Sequence, residues 1–466
     1  MIRHEPLRSA MWSARDRFAY WSGVAARSAV RLAHAGDGTS LPGRVSELVS
    51  PGFTQRRVAR FGDVILVSGT NGKTTTASMI RHILRSSGRS VVGNEAGANL
   101  RQGIASSLIV SAEGTPTVVL EVDELTLPEI VRKTRPRAVV LTNVFRDQLD
   151  RYGESERVLD VLAASCDPFP EAVVVFNTDD PALSHVVSRK HGVGFAVERE
   201  GDGSRADARL TSPIVEAEVC PRCGRSLEYG ARTILHLGRA RCPACGWKSP
   251  DPERLARIRS MDGLRSMMLD VSGTPVALSV GGVHNAYNAV AAIAATSLLG
   301  VSDEEASLAL RSFRSRFGRA EALLADGYPI LLTLMKNPAA ASVLIEEIAA
   351  DPDVGATILS VNDALADGRD ISWIWDIDVE RLVRAGIPLI ASGSRALDVS
   401  IRIKYAGSEA TASHRGARAA IDAAADVCPP GRSIVQMATY TAMLDSRRAL
   451  RGRSGRLRDS RYPAAV

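Results

Sequence analysis

Short apolar runs alternate with amphipathic stretches along most of this chain. Val64–Ser68, Val91–Val92, Val118–Val122, Ala138–Thr142 and Ala172–Asn177 are apolar, rich in β-branched residues, and predict strands. Leu127–Lys133 and Ser155–Ala164 lie between them with apolar residues at helical spacing. Strands apolar at nearly every position, separated by helices, predict a mostly parallel sheet covered on both faces. Residues 201–260 break the pattern with glycine, charge and cysteine. Two helical stretches return between 284 and 316. From 328 a second alternation begins, with Ile330–Leu334, Ala356–Val361, Ile387–Ala391 and Ile434–Met437 as strands. The expected division is a basic, helical lead-in over 1–50 and a central α/β domain over 51–320 carrying an insert near 215–250. A C-terminal α/β domain over 321–446 and a basic tail over 447–466 follow.

Composition adds little to this picture except at the ends. A chain of 466 residues exceeds one hydrophobic core, which agrees with two or three domains. The formal net charge is +6, and arginine gathers at the termini. Arg3, Arg8, Arg15, Arg17, Arg27 and Arg31 open the chain; Arg447, Arg448, Arg451, Arg453, Arg456, Arg458 and Arg461 close it. They read as solvated ends, with attraction to an anionic membrane surface or an acidic substrate as the alternative. No apolar run reaches the ~18–20 residues of a membrane helix, and no signal-peptide core is evident. The expected location is the cytoplasm, free or at the inner face of the plasma membrane.

The chemistry begins at the end of the first strong strand. Val64–Ser68 runs into Gly69-Thr70-Asn71-Gly72-Lys73-Thr74-Thr75, and a helical pattern follows. Strand, glycine-rich turn and helix make a phosphate loop. The glycines let backbone N–H groups close on a polyphosphate, and the helix N-terminus adds its dipole. Lys73 is expected on the β/γ-phosphates and Thr74 on Mg²⁺. The general pattern asks for glycine five residues before Gly72, where this chain has Val67. Farther on, Val118–Val122 ends among Glu121, Asp123 and Glu124, and Glu121 is the candidate second Mg²⁺ ligand.

Cys220-Pro-Arg-Cys223 and Cys242-Pro-Ala-Cys245 supply four thiolates at zinc-ribbon spacing, with Gly224 and Gly246 after each second cysteine. Four sulfur ligands leave no open position, so the expected Zn²⁺ is structural. Arg222, Arg225, Arg239 and Arg241 raise a nucleic-acid reading, but aromatic residues are sparse, and no nucleic-acid partner is expected.

These residues resemble the Mur ligase family. Its shorter phosphate loop is the Gly69-Thr-Asn-Gly72-Lys-Thr-Thr form. Thr142-Asn143 and Asp147-Gln148-Leu149-Asp150 resemble the family's Thr-Asn and Asp-His-Leu-Asp segments, with Gln148 where most members have a metal-binding histidine. Asn285, in Gly282-Val-His-Asn285, matches the adenine-side asparagine, with Asn288 one turn later. Arg319, in Phe317-Gly-Arg319, matches an arginine that contacts nucleotide phosphates at the hinge into the last domain. Amino-acid-adding members carry Asp-(Tyr/Ser)-x-x-Asn-Pro there; this chain has Thr333-Leu-Met-Lys336-Asn337-Pro338.

That departure resembles one branch. The cysteine insert combined with Asp367-Gly-Arg-Asp370-Ile-Ser-Trp373-Ile-Trp375-Asp376 resembles the MurT-type subunits of lipid II isoglutaminyl synthase. The resemblance covers residues 50–446 and implies a reaction. ATP would phosphorylate the α-carboxylate of D-glutamate in the lipid II stem peptide, and ammonia would displace phosphate to leave D-isoglutamine. No glutaminase motif is present in the chain, so the resemblance implies a GatD-type glutamine amidotransferase as heterodimer partner. It also implies that Asp367, Asp370 or Asp376 completes that partner's Cys-His pair, with Asp370 or Asp376 favoured. The other readings are a stand-alone Mur or folylpolyglutamate-type ligase that adds an amino acid, and a non-enzymatic zinc-ribbon nucleotide-binding module.

Overall fold

The computed structural model describes residues 13–32, 40–94, 98–109, 115–145, 155–166, 171–187, 192–199, 217–315, 319–325 and 327–451. Arg3, Arg8, Arg453, Arg456, Arg458 and Arg461, and the segment holding Asp147, Gln148 and Asp150, lie outside the described residues.

Nine strands form the first sheet: β1 (Val64–Ser68), β2 (Val91–Val92), β3 (Thr117–Glu121), β4 (Ala138–Leu141), β5 (Val173–Asn177) and β6 (Gly192–Arg199), with three more downstream. In the downstream count a separate hairpin, β7 (Glu228–Ile234) and β8 (Leu237–Arg241), comes first. Then β9 (Arg254–Asp262), β10 (Ser266–Val271) and β11 (Thr274–Leu278) complete the sheet. Its order is β11-β10-β9-β6-β5-β4-β1-β3-β2. Pairing is parallel from β2 through β9 and antiparallel beyond.

The near-continuous apolar sequence of β1 follows from this position, because every one of its residues is buried. Alternate side chains enter different cores. Ile65 and Val67 pack with the phosphate-loop helix Lys73–Ser86 and with the alanine-rich helix Val283–Ser297. Val64 and Leu66 pack on the other face with Ile104, Leu127 and Ile130. In the helix Val283–Ser297 every residue from Asn285 to Thr296 is buried. Alanine suits this close approach, since a larger side chain would hold the helix off the strands.

A second sheet follows: β12 (Arg319–Ala325), β13 (Tyr328–Leu334), β14 (Val354–Ser360), β15 (Leu389–Ser392), β16 (Ala412–His414) and β17 (Ser433–Ala438). Its order is β12-β13-β17-β14-β15-β16, parallel except for the edge hairpin β12–β13. Both sheets are the α/β type that the hydrophobic pattern predicts. The pattern overlooks β9–β11 because their residues are only half-buried and interrupted by Arg254, Arg257 and Arg259.

Trp373 and Trp375 lie two apart, a spacing that would put both on one face if the segment were a strand. Instead Ser372–Trp375 forms a 3₁₀ turn, because Asp370 accepts from the Ser372 N–H at 2.8 Å and bends the chain. Ile374 faces the core, and Trp375 stays 49% exposed against Tyr405.

Leu66→Ala removes a fully buried strand side chain and is expected to cost about 2–5 kcal/mol in denaturant melts. Leu308→Ala, 72% exposed, is expected to cost under ~0.5 kcal/mol in the same measurement.

Candidate functional site

The phosphate loop leaves the C-terminal end of β1, which lies between β3 and β4. The chain continues to one side of β1 and later returns to the other, so a crevice opens there. Gly69 has φ +119°, and a Cβ on it would lie 2.4 Å from Thr142 Oγ1 and 2.8 Å from the Asn143 carbonyl. Gly72 has φ +86° and faces Asn288 just as closely. Only glycine fits either position.

The two residues ending β4 fasten the loop. The Asn71 N–H donates to Asn143 Oδ1 at 2.9 Å, and the Asn71 carbonyl accepts from Asn143 Nδ2 at 3.2 Å and Thr142 Oγ1 at 2.7 Å. The Thr70 N–H donates to the Asn143 carbonyl at 2.8 Å. Asn143 is therefore a loop brace, whatever else it touches.

Lys73 is buried and donates to the carbonyls of Gly69 and Thr70 and to Glu124 Oε1, the last at 2.9 Å. Thr74, the second residue of the following helix, is half-buried, and Thr75 is buried beside it. Glu121, at the end of β3, is buried; its Oε1 accepts from Asn99 Nδ2 at 3.1 Å, and among the described residues its Oε2 has no hydrogen-bond partner. A buried carboxylate oxygen left unmatched suits a cation. Glu121 and Thr74 are thus the residues that could hold Mg²⁺ beside the loop.

A cleft opens in front of the loop. It is walled by Asn71, Gly72 and Thr75 of the loop, by His284, Tyr287 and Asn288 of the helix Val283–Ser297, and by Lys336, Ala340 and Leu344 of the C-terminal segment. Asn285 is buried one turn from Asn288. Its amide bonds the Gly281 carbonyl at 2.7 Å and its oxygen accepts from Asn288 Nδ2 at 3.0 Å, so Asn288 is the member of the pair that lines the cleft. Tyr287 donates its hydroxyl to Asp179 at 2.8 Å. Burial pushes the Asp179 carboxyl up to about 6, against the Val197 N–H and Tyr287 hydroxyl that favour its anion.

The C-terminal segment closes this cleft. Lys336 Nζ donates to the Thr70 carbonyl at 2.9 Å, and Asn337 Nδ2 donates to Asn71 Oδ1 at 3.2 Å. Asn337 also caps the helix Pro338–Ala350 by accepting from the Ala340 N–H at 2.8 Å. The Lys-Asn-Pro departure in the sequence therefore lies against the phosphate loop. Arg319 begins β12, paired with Thr333; its side chain and Phe317 lie outside the described residues.

The four cysteines converge. Their Sγ atoms lie within 4.8 Å of one another, with Cys220–Cys245 and Cys223–Cys242 each at 3.6 Å. Gly224 and Gly246 take φ +71° and +73°, closing each knuckle, and the Arg222 N–H points at Cys220 Sγ. This donor set and shape fit tetrahedral Zn²⁺. The hairpin β7–β8 runs from the knuckles into the main core, where Ile234, Leu235 and Leu237 are buried, and Ile234 and Leu237 also wall the cleft. The Gly238 N–H to Asp179 carbonyl bond and the Thr233 to Val197 carbonyl bond fix its inner end. The sequence reading of the insert as glycine, charge and cysteine passes over this contact; the one signal for it is the short apolar run Ile234-Leu235-His236-Leu237. Arg239 and Arg241 pair with Asp251 and Glu228.

The three aspartates of the C-terminal segment differ. Asp367 caps the helix Tyr440–Leu450 by accepting from the Thr441 N–H and hydroxyl. Asp370 is exposed, and the Ser372 N–H holds its carboxyl below the ordinary carboxylate range. Asp376 is exposed, and no hydrogen bond or ion pair among the described residues reaches its carboxylate.

Two family patterns match: the Mur ligase middle domain over residues 67–218 and the MurT ligase C-terminal domain over 334–443. The chain is 32% identical to "Lipid II isoglutaminyl synthase (glutamine-hydrolyzing) subunit MurT" of Streptococcus pneumoniae (strain ATCC BAA-255 / R6), over 91% of this chain and 94% of that one. It is 32% identical to the subunit of the same name from Staphylococcus aureus (strain COL), over 79% and 83%. Among solved structures it shares the fold of a pseudomurein peptide ligase type C from Methanothermus fervidus, with TM-score 0.62, 20% identity and coverage of 84% and 78%. MurF ligase from Thermotoga maritima, solved with ADP, gives TM-score 0.61, 15% identity and coverage of 85% and 82%.

The purified chain is expected to carry one zinc per chain by elemental analysis, and Cys242→Ser to lose it. Because the hairpin walls the cleft, the same variant is expected to bind ADP severalfold more weakly by calorimetry.

Proposed function

The chain belongs to the MurT family, and from that premise we propose that it amidates the D-glutamate α-carboxylate of the lipid II stem peptide with ammonia from a glutaminase partner. It is an ATP-dependent ligase subunit. One contact carries the finer reading: Lys336 and Asn337 close on Thr70 and Asn71, so a nucleotide phosphate and an acceptor carboxylate would meet between the two sheets.

A carboxylate resists attack by nitrogen because its own charge repels the nucleophile and oxide is a poor leaving group. The substrate oxygen attacks the γ-phosphorus, ADP departs, and an acyl phosphate results. Ammonia then adds to the carbonyl carbon, loses a proton and expels phosphate. The loop N–H groups and Lys73 hold the phosphates and offset charge as it moves. In the free chain Glu124 and two carbonyls hold Lys73, and a phosphate entering the loop competes for the same ammonium group. Thr74 and Glu121 would hold Mg²⁺, which supplies charge neutralisation at the phosphates. Cys220, Cys223, Cys242 and Cys245 would hold Zn²⁺, which stabilises the hairpin.

The nitrogen comes from a partner of the GatD type. An exposed carboxylate can orient a partner's catalytic histidine across an interface. Asp376 suits this best, being exposed and unengaged, with Asp370 next; Asp367 is occupied as a helix cap. The Trp375–Tyr405 pair beside it, with ring centroids 5.4 Å apart, offers an aromatic anchor.

Lys73→Ala is expected to lower amidation about 100-fold or more with either glutamine or ammonium as nitrogen source. Asp376→Asn is expected to abolish glutamine-dependent amidation in the complex and to leave ammonium-dependent amidation intact. Equal loss with both nitrogen sources would remove Asp376 from the partner's triad.

A further inference from the structure

Two sets of exposed large apolar side chains stand out among the described residues. Leu365, Trp375, Leu397, Ile401 and Tyr405 belong to the C-terminal domain, where Trp375 and Tyr405 pack edge to face beside Asp376. Phe18, Trp21, Leu32, Leu41 and Leu48 lie on the helices Ala14–Leu32 and Leu41–Val49, and no role yet described uses them.

The helix Ala14–Leu32 has two unlike faces. Asp16, Ala19 and Gly23 are buried, and a Cβ on Gly23 would meet Ser46 Oγ at 2.4 Å, so this face fits against Leu41–Val49 without slack. On the outer face Phe18, Trp21, Ala25, Ala29 and Leu32 recur at helical spacing, all exposed, with Phe18 at 66% and Trp21 at 65%. Charge is sorted in the same way. Asp16 turns inward to Ser13, Ser50 and Arg56, and Glu47 turns to the N–H groups of Gly52 and Thr54. Arg15, Arg17 and Arg44 are exposed. Among the described residues, these two helices therefore show aromatic, aliphatic and cationic groups outward, while Asp16 is buried and half-buried Glu47 is tied to backbone N–H groups.

We infer that Ala14–Leu32 lies flat on an anionic membrane surface and holds the ligase at the bilayer that carries its substrate. An apolar stripe with tryptophan and flanking arginines is the chemistry of an interfacial helix. The helix is not apolar enough to cross a membrane. A protein partner would match the apolar stripe, but it would leave an all-cation rim to be neutralised, which anionic headgroups do without further contacts. Only the identity of the cargo rests on the functional reading above.

The test uses the full chain and vesicles of phosphatidylcholine with or without phosphatidylglycerol. Binding is expected to the anionic vesicles, to weaken with added salt, and to be slight with phosphatidylcholine alone. The Phe18→Ser/Trp21→Ser variant is expected to bind about tenfold or more weakly, and Arg17→Gln/Arg44→Gln to bind less tightly with a flatter salt dependence. In the complex, the first variant is expected to lose amidation of vesicle-borne lipid II while matching the parent on a short-chain, water-soluble analogue. That analogue also checks that the variant folds. No binding to anionic vesicles, equal binding by the variant, or a concentration-dependent dimer that the variant abolishes would each overturn the proposal. Vesicle binding without amidation of either substrate would support this surface and overturn the ligase reading.

Discussion

The glycine-rich loop after β1 has to keep one fixed shape at the crevice, and it cannot do so alone. Free in water such a segment would sample many shapes. Here the polar groups of Asn71 are taken by Asn143 and Thr142, Gly69 lies flat against them, and Gly72 lies against Asn288. Lys73 keeps a buried charge because Glu124 and two carbonyls surround it. Removing one partner of such a pair typically costs about 3–5 kcal/mol. Glu124 thus contributes to the same machinery as Glu121, although only Glu121 stands out in the sequence as a metal ligand.

The rest of the molecule is arranged around that loop from three directions. The first sheet supplies β1 and its neighbours, packed on both faces, so the strand ends cannot shift. The hairpin β7–β8 presses Ile234 and Leu237 against one wall of the cleft and carries the cysteine knuckles at its outer end. The C-terminal sheet reaches back with Lys336 and Asn337. Pro338 follows at the start of a helix, where its missing N–H costs nothing, and Asn337 caps the same helix while touching the loop.

The two exposed apolar groups divide the outside of the protein in a similar way. One accompanies the free carboxylate of Asp376 and suits a protein partner. The other, among the described residues of its two helices, accompanies exposed arginines and suits anionic lipid. The two acids on these helices are engaged within the protein, Asp16 by Arg56 and Glu47 by backbone N–H groups.

Features set by neighbours along the chain were legible before any coordinates. The phosphate loop needs glycines and a lysine within seven residues, and each zinc knuckle needs two cysteines three apart. The apolar strands of both sheets are local as well. Contacts between distant segments were not legible. Asn288 lines the cleft while Asn285 turns inward because of how a buried helix is rotated, and that rotation is fixed by packing against the sheet. The strands β9–β11 went unread since their polar alternation resembles a loop until β6 offers an edge to pair with. The 3₁₀ turn at Trp373–Trp375 depends on one carboxylate meeting one N–H. Spacing along a chain dictates which chemistry can assemble locally; folding decides which side chains from remote segments face one another, because burial is a property of the whole packed core.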